Sequence, residues 1–325
     1  MPGRAGGAAP VTVGRVVLAA LLLLAGGSGQ AAMTRPQLLL DETLAELAPA
    51  PVAGNVWSVL GREALLGAFC APREGALLRV ALTTRPPSDW QHAACIAVAG
   101  AALTDQVVGH QVLLAFGGAS PPPLTSALLF RALAARVPAA SGGLVDNRAA
   151  SWHALDPSLP DWPIRLLLPP DGTAEARILR EVVLYRGCVA TVRPALPRLA
   201  GECEALGADA RGDAAVARAG PGGAASWLRT EGASAVALVG LGTVVAAPEL
   251  ENALPLDGVA PALASIADGT YPGAVPVHLL VLRAGVPADA VRALTAESAI
   301  GPMGTLARRG LAALPAAERV RLRAE

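Results

Sequence analysis

Short apolar segments alternate along the chain with longer segments of helical periodicity, and this alternation constrains the fold more than any other feature. A short apolar run bounded by turn residues is typical of a buried strand, and the alternation of such runs with helices predicts an α/β fold with parallel or mixed sheets. The predicted strands are Gln37–Leu40, Leu77–Thr83, Val107–Phe116, Ile164–Leu168, Ala235–Leu241 and Val277–Arg283. The predicted helices are Leu124–Ala135, Ala174–Tyr185, Ala224–Glu231, Val259–Asp268, Ala288–Leu294 and Gly304–Leu311.

Residues 1–31 have the layout of a secretory signal peptide that is cleaved on export. Arg4 and Arg15 supply positive charge, an unbroken apolar run covers residues 16–25, and small residues follow as far as Ala31. The apolar run is too short to span a bilayer, and no cysteine follows it at once to carry a lipid. The sequence therefore predicts a periplasmic or secreted protein that has no stable membrane insertion after cleavage.

The chain that follows residue 31 is too long for one hydrophobic core. It has about 294 residues, and chains beyond roughly 250–300 residues tend to divide into two domains. Its charges nearly balance, because the full chain has 26 basic and 26 acidic residues and residues 1–31 carry two of the arginines. A chain without an excess of basic residues lacks the positive charge that binds the phosphates of nucleic acid, so nucleic acid is not an expected partner.

No arrangement of residues in the sequence predicts a catalytic or metal site. Gly240-Leu241-Gly242 follows an apolar strand but lacks the third glycine of a dinucleotide-binding fingerprint, and we interpret it as a strand and turn. Without a nucleophile and base in a recognisable arrangement, we expect no enzyme activity, no cofactor and no metal. The histidines, which share no metal-ligand or catalytic-triad spacing, are His92, His110, His153 and His278.

Four cysteines, Cys70, Cys95, Cys188 and Cys203, make an even number in a chain that is predicted to be exported. Such a number favours disulfide bonds over free thiols, and the absence of a C-x-x-C motif or a Cys/His cluster argues against metal binding. The residues alone leave three pairings open.

Two segments resemble the phosphate-binding proteins that serve ABC transporters. Residues 151–163 (SWHALDPSLPDWP), which follow a predicted helix, resemble the family's W-x-x-(I/L)-(D/N)-P-x-L-P-x-x-P-I region. Residues 256–272 (LDGVAPALASIADGTYP) resemble its I-D-G-V-x-P segment, which ends in G-x-Y-P. The resemblance implies a two-lobed, periplasmic-binding-protein-like fold of type II with two hinge crossovers.

The same resemblance implies a division of the chain and a disulfide pairing. Lobe 1 would consist of residues 32–117 and 239–325, and lobe 2 of residues 118–238. The disulfides would join Cys70 to Cys95 and Cys188 to Cys203, because the first two cysteines match those of one branch of the family.

Members of the family hold phosphate between the lobes with hydroxyl groups, an arginine and the N–H groups of helix N-termini, which favour anions. Arg62 and Arg177 are further candidates for an anion site in this chain. By the resemblance, the ligand-binding residues are Thr43, Ser58, Thr84, Arg85, Gly172 and Thr173.

The sequence departs from the family pattern around these residues. Asp41 and Glu42 place carboxylates beside Thr43, Asp171 stands where the family has serine, and Ala174 stands where one branch has arginine. Asp171 either caps the following helix, a position that suits aspartate, or repels an anion in the cleft. We therefore expect phosphate to bind more weakly than it does in the family.

The sequence thus predicts a monomeric, exported solute-binding protein that captures phosphate or a related oxyanion and passes it to the permease of an ABC transporter. An alternative function stays open because of the departures at the site. In that alternative, the chain is a binding-fold protein that has lost ligand capture and acts as a structural or sensory partner in the cell envelope.

Overall fold

The computed structural model describes residues 37–49, 56–71, 78–212, 216–218, 223–246, 252–283 and 288–324. The predicted signal peptide, residues 1–31, lies outside these ranges. The described residues belong to one compact unit that spans residues 34–325.

A mixed sheet of eight strands runs through the described part of the chain, in the order β2-β1-β3-β10-β4-β9-β7-β8. Strand β1 is parallel to β2 and β3, and β7 is parallel to both β8 and β9. Strand β10 is antiparallel to β3 and β4, and β4 is antiparallel to β9, while β5 and β6 form a separate pair. The strands are β1 (Gln37–Asp41), β2 (Ser58–Leu60), β3 (Leu78–Thr83), β4 (Ala102–Gly117), β5 (Arg136–Pro138), β6 (Leu144–Asp146), β7 (Leu166–Leu168), β8 (Val216–Arg218), β9 (Val236–Gly240) and β10 (Ala274–Arg283).

Strand β4 belongs to both halves of this sheet. Residues 102–112 of β4 pair with β10, and residues 113–117 pair with β9. Val112, Leu113 and Phe116 are buried, and an apolar run of this kind is typical of a strand whose two faces are both covered.

Helices cover both faces of the sheet, as the alternating side chains of β1 show. Leu39 packs in a cluster with Leu65 and Phe69, whereas Leu38 and Leu40 pack in a different cluster on the opposite face. No helix in the described ranges is long and apolar enough to cross a membrane. The α-helices are α1 (Arg62–Cys70), α2 (Asp89–Ala99), α3 (Ser126–Leu133), α4 (Trp152–Leu155), α5 (Ala174–Ile178), α6 (Tyr185–Ala195), α7 (Cys203–Ala208), α8 (Ala224–Glu231), α9 (Leu241–Ala246), α10 (Leu263–Ala267), α11 (Ala288–Thr295), α12 (Glu297–Ile300) and α13 (Ala316–Ala324).

Shorter helical segments complete the pattern. A π-helical segment, Leu179–Leu184, joins α5 to α6 without a break, so that one helical run extends over residues 174–195. The 3₁₀-helices are Glu42–Leu47, Pro197–Glu202 and Ala307–Arg309.

Two disulfide bonds hold helices together. Cys70 at the end of α1 bonds to Cys95 in α2, and Cys188 in α6 bonds to Cys203 at the start of α7. These bonds close sequence separations of 25 and 15 residues, and loops of that size correspond to about 3 kcal/mol of stabilisation each in the chain-entropy model. The predicted pairing is confirmed.

The α/β fold predicted from the alternating pattern is confirmed, although two predicted helices are much shorter in the structure. The segment Val259–Asp268 is helical only in α10, since Pro261 disfavours helical geometry in the residue before it. The segment Gly304–Leu311 contains only a short 3₁₀-helix, which ends at Gly310 in the left-handed region at a φ of 102°.

The division into lobe 1 and lobe 2 stays a prediction. The sheet changes partner at residues 112–113 of β4, close to the predicted boundary at residue 117. The second predicted boundary, at residue 239, agrees less well with the packing. Leu256, Ile266 and Tyr271 belong to predicted lobe 1 but pack in the same hydrophobic cluster as Phe130 of predicted lobe 2.

Candidate functional site

The helical run over residues 174–195 begins at a tight turn that follows β7. Thr173 caps this run: its Oγ1 accepts a hydrogen bond from the Ala176 N–H at 3.2 Å and donates one to the Pro170 carbonyl at 2.8 Å. Gly172 has a φ of 83°, a left-handed conformation that glycine adopts without strain. The sequence Pro-Asp-Gly-Thr therefore sets the direction in which the helical run leaves the sheet.

A buried ion pair connects this helical run to the end of β1. Arg177 Nη1 lies 3.3 Å from Asp41 Oδ2, and Arg177 Nη2 donates a hydrogen bond to Thr84 Oγ1. Asp41 is fully buried and Arg177 is 7% exposed. Burial lowers the pKa of the Arg177 guanidinium and the charge of Asp41 opposes that change, so the side chain stays a cation at neutral pH.

The Asp41 carboxylate accepts further hydrogen bonds from two threonines. Thr43 donates both its backbone N–H, at 3.0 Å, and its hydroxyl, at 2.7 Å, to Asp41 Oδ1. The Thr83 hydroxyl donates to Asp41 Oδ2 at 3.4 Å. Asp41 is thus the N-cap of the 3₁₀-helix Glu42–Leu47, and an Asp-x-Thr sequence directly after a strand is a recognisable capping pattern.

An arginine-rich cavity of about 480 Å³ adjoins the ion pair. Arg62 binds Glu181 at 3.0 Å and Arg180 binds Asp171 at 3.0 Å, so these two guanidinium groups have carboxylate partners. The exposed Arg85 guanidinium makes no ion pair with an acidic residue in the described ranges. The side chains that carry the chemistry of this cavity are Arg62, Thr84, Arg85, Arg177, Arg180 and Glu181.

A second cavity, of about 280 Å³, has a different character. The side chain of Glu175 lines it and lies against the backbone of Gly240, and burial together with the charge of Glu46 raises the pKa of Glu175. Gln111 also lines it, is almost fully buried, and its Oε1 has no hydrogen-bond partner within the part of the chain that the structure describes. Arg308 and Arg309 line this cavity as well, but they share it with the carboxyl groups of Glu46 and Glu175. The arginine-rich cavity, which four arginines line, is therefore better suited to an anion.

The six residues predicted to bind ligand do not line one cavity. Thr84 and Arg85 line the arginine-rich cavity, and Thr43 and Thr173 line the second cavity. Ser58, at the start of the short strand β2, and Gly172 line neither. Arg62 and Arg177, the two further candidates, both line the arginine-rich cavity.

Asp171 does not cap the helix, so that interpretation of the sequence is wrong. Thr173 fills the cap position because the preceding turn brings its hydroxyl to the Ala176 N–H. The Asp171 carboxylate is mostly exposed and contacts Arg180 at 3.0 Å and Arg218 at 3.2 Å. Its negative charge is therefore balanced by two guanidinium groups outside the buried ion pair.

Two features of the site were not predicted from the sequence. Arg180 was not among the candidates, and Asp41 was noted only as a carboxylate beside Thr43 rather than as the partner of Arg177. Within the described ranges, no group of three or more His, Cys, Asp or Glu side chains could hold a metal ion.

No protein-family model matches the sequence, and no curated protein is similar to it. Solved structures do match. One, described as a possible phosphate binding protein from Planctomyces limnophilus, is 15% identical with a TM-score of 0.63, and the match covers 90% of this chain and 98% of that one.

Two other solved structures give matches of similar extent. PstS from Borrelia burgdorferi is 11% identical with a TM-score of 0.58, and the match covers 86% of this chain and 99% of that one. The phosphate-binding protein from Stenotrophomonas maltophilia is 11% identical with a TM-score of 0.50, and the match covers 90% and 94% of the two chains. At these identities the likeness concerns the fold, and the chain therefore has the periplasmic-binding-protein-like α/β fold that the sequence motifs predicted.

Proposed function

We propose that this chain is an exported solute-binding protein that captures phosphate or a related oxyanion in the periplasm and passes it to the permease of an ABC transporter. The single observation that carries the proposal is the arginine-rich cavity beside the hydroxyl of Thr84. The solved structures with this fold whose descriptions name phosphate binding add support.

The chemistry of that cavity suits an oxyanion. A guanidinium group presents several N–H donors in a planar fork that matches the oxygens of a phosphate or sulfate, and such charge-assisted hydrogen bonds are about twice as strong as neutral ones. Arg85 is the group whose charge is not balanced by an ion pair in the described ranges, so we assign it the largest share of ligand binding.

The predicted lobes form part of this proposal. The ion pair of Asp41 with Arg177 connects β1 to the helical run that follows β7, and these strands lie in different halves of the sheet. A cavity beside that contact is where two lobes would meet if the halves of the sheet belong to lobe 1 and lobe 2. In a fold of this kind, hinge closure buries the ligand between the lobes.

Calorimetric titration of the mature monomer with phosphate, sulfate and arsenate tests the proposal. Arg85→Ala should weaken binding of the preferred anion by about ten- to a hundredfold, the loss of one charge-assisted hydrogen bond. The control is Arg321→Ala, which removes the same charge from an exposed position on α13 outside both cavities and should leave affinity unchanged.

Two results would overturn the proposal. If none of the three oxyanions binds to the wild-type protein, the chain is not a receptor for them, and the structural or sensory role in the envelope becomes the better hypothesis. If Arg85→Ala binds the anion as tightly as the wild type, the arginine-rich cavity is not the binding site.

A further inference from the structure

We propose that Asp41 acts as a resident counter-anion, a carboxylate of the chain itself that competes with the ligand for the guanidinium group of Arg177. The inference rests on the proposed function, because it concerns the same site, and it identifies Asp41 as the residue that limits how tightly an oxyanion binds.

The hydrogen-bond partners of Asp41 are of the types that an oxyanion requires. The carboxylate is in contact with one backbone N–H and one hydroxyl from Thr43, one hydroxyl from Thr83 and the guanidinium of Arg177. A fully buried carboxylate needs such a set because an unpaired buried charge is very costly. Of these donors, Arg177 also lines the arginine-rich cavity, and it is therefore already engaged by a side chain of the protein.

Thr43 shows how fully Asp41 occupies the donors around it. The sequence predicts that Thr43 binds the ligand, but in the structure both its backbone N–H and its hydroxyl donate to Asp41. Thr43 lines the second cavity, so the donor that Asp41 shares with the arginine-rich cavity is Arg177.

Arg177 is shared between Asp41 and the arginine-rich cavity. One of its terminal nitrogens faces Asp41 and the other donates to Thr84, while the side chain lines the cavity wall. An anion that enters the cavity meets a guanidinium whose charge is already balanced, and it is itself repelled by the Asp41 carboxylate. Replacing Asp41 with a neutral residue should therefore restore the full attraction of Arg177 for an anion.

The experiment compares phosphate binding by the wild type with binding by Asp41→Asn. Asparagine keeps the size of the side chain and an acceptor for the Thr43 N–H. The variant removes the negative charge and replaces the oxygen that faces Arg177 with an NH2 group. We expect phosphate to bind Asp41→Asn at least about tenfold more tightly than the wild type, measured by calorimetry at constant ionic strength.

A matched control separates this local effect from the change in net charge. Glu297→Gln also removes one carboxylate that binds an arginine, Arg319, and it lies outside both cavities. It should leave phosphate affinity unchanged. Thermal unfolding establishes that each variant is folded, and if Asp41→Asn does not fold, Asp41→Ser is titrated in its place because serine is also a good cap.

The outcomes distinguish failure of this inference from failure of the proposed function. If the wild type binds phosphate and the Asp41 variant binds it no more tightly, the inference is wrong while the receptor function stands. If only the Asp41 variant binds phosphate, the inference stands, and the wild-type chain is not a phosphate receptor. If neither binds any of the three oxyanions, both are wrong.

Discussion

Replacing Arg177 with methionine should cost the protein about 3–5 kcal/mol of unfolding free energy. Methionine retains much of the apolar volume of the side chain but leaves Asp41 without the cation that faces it. Removing one partner of a buried ion pair lowers the unfolding free energy by this amount because the other charge stays buried and uncompensated. Asp41 has no exposed area, so its charge cannot be stabilised by water when Arg177 is removed.

Urea unfolding at pH 7 with the disulfides intact measures this cost. Asp41→Asn and the double variant Asp41→Asn/Arg177→Met complete a double-mutant cycle. Because the double variant has no buried carboxylate at position 41, it should be more stable than Arg177→Met alone, with a coupling energy of at least about 1 kcal/mol.

Two results would refute this reasoning. A loss of less than about 1 kcal/mol for Arg177→Met would mean that the buried carboxylate is stabilised adequately by the donors of Thr43 and Thr83. Additive effects in the double variant would mean that Asp41 and Arg177 contribute independently, despite the 3.3 Å between their charged atoms.

Two further predictions concern the second cavity and the packing of the helical run. Burial raises the pKa of Glu175, so the folded state keeps this proton to higher pH than the unfolded state, and stability is lost as the pH rises from the ordinary glutamate range through the raised value. The thermal midpoint of Glu175→Gln minus that of the wild type should therefore increase between pH 4 and pH 7. A difference that stays constant over this range would contradict a raised pKa of Glu175. Gly187→Ala should destabilise the protein by about 1–3 kcal/mol in urea, because an added Cβ would lie 2.0 Å from the carbonyl oxygen of Ser126. Gly67→Ala in α1, where nothing lies within 4 Å of the added atom, is the control and should be neutral or slightly stabilising.

The strands that form the core of the sheet could be predicted because they are apolar and bounded by turn residues. Strand β4 is longer than predicted, since its first residues alternate between buried and exposed positions and include polar side chains such as Asp105 and Gln106. The helix α2 was missed because Cys95 is its only buried residue among those whose exposure is described, so its sequence lacks an apolar stripe. Three-residue strands such as β2 are too short for a period-two pattern to be recognised.

The disulfides and the fold could be predicted from the resemblance, but the central ion pair could not be predicted from spacing. Asp41 and Arg177 are 136 residues apart in the sequence, and no local pattern relates them. Part of the answer was present in the sequence nonetheless. Helical side chains lean towards the N-terminus of their helix. Arg177 can therefore reach back towards the position of Ala174, where the resemblance implies an arginine in one branch of the family.

The shared strand β4 has a consequence for how the molecule can be divided. Its sixteen residues correspond to about 50 Å of extended chain, and they bind β10 along one part and β9 along the other. A fragment cut at residue 112 would have a row of unpaired backbone N–H and C=O groups at the new edge of its sheet, and such edges promote aggregation. Circular permutation that leaves β4 intact should therefore yield more monomeric protein than expression of either half alone.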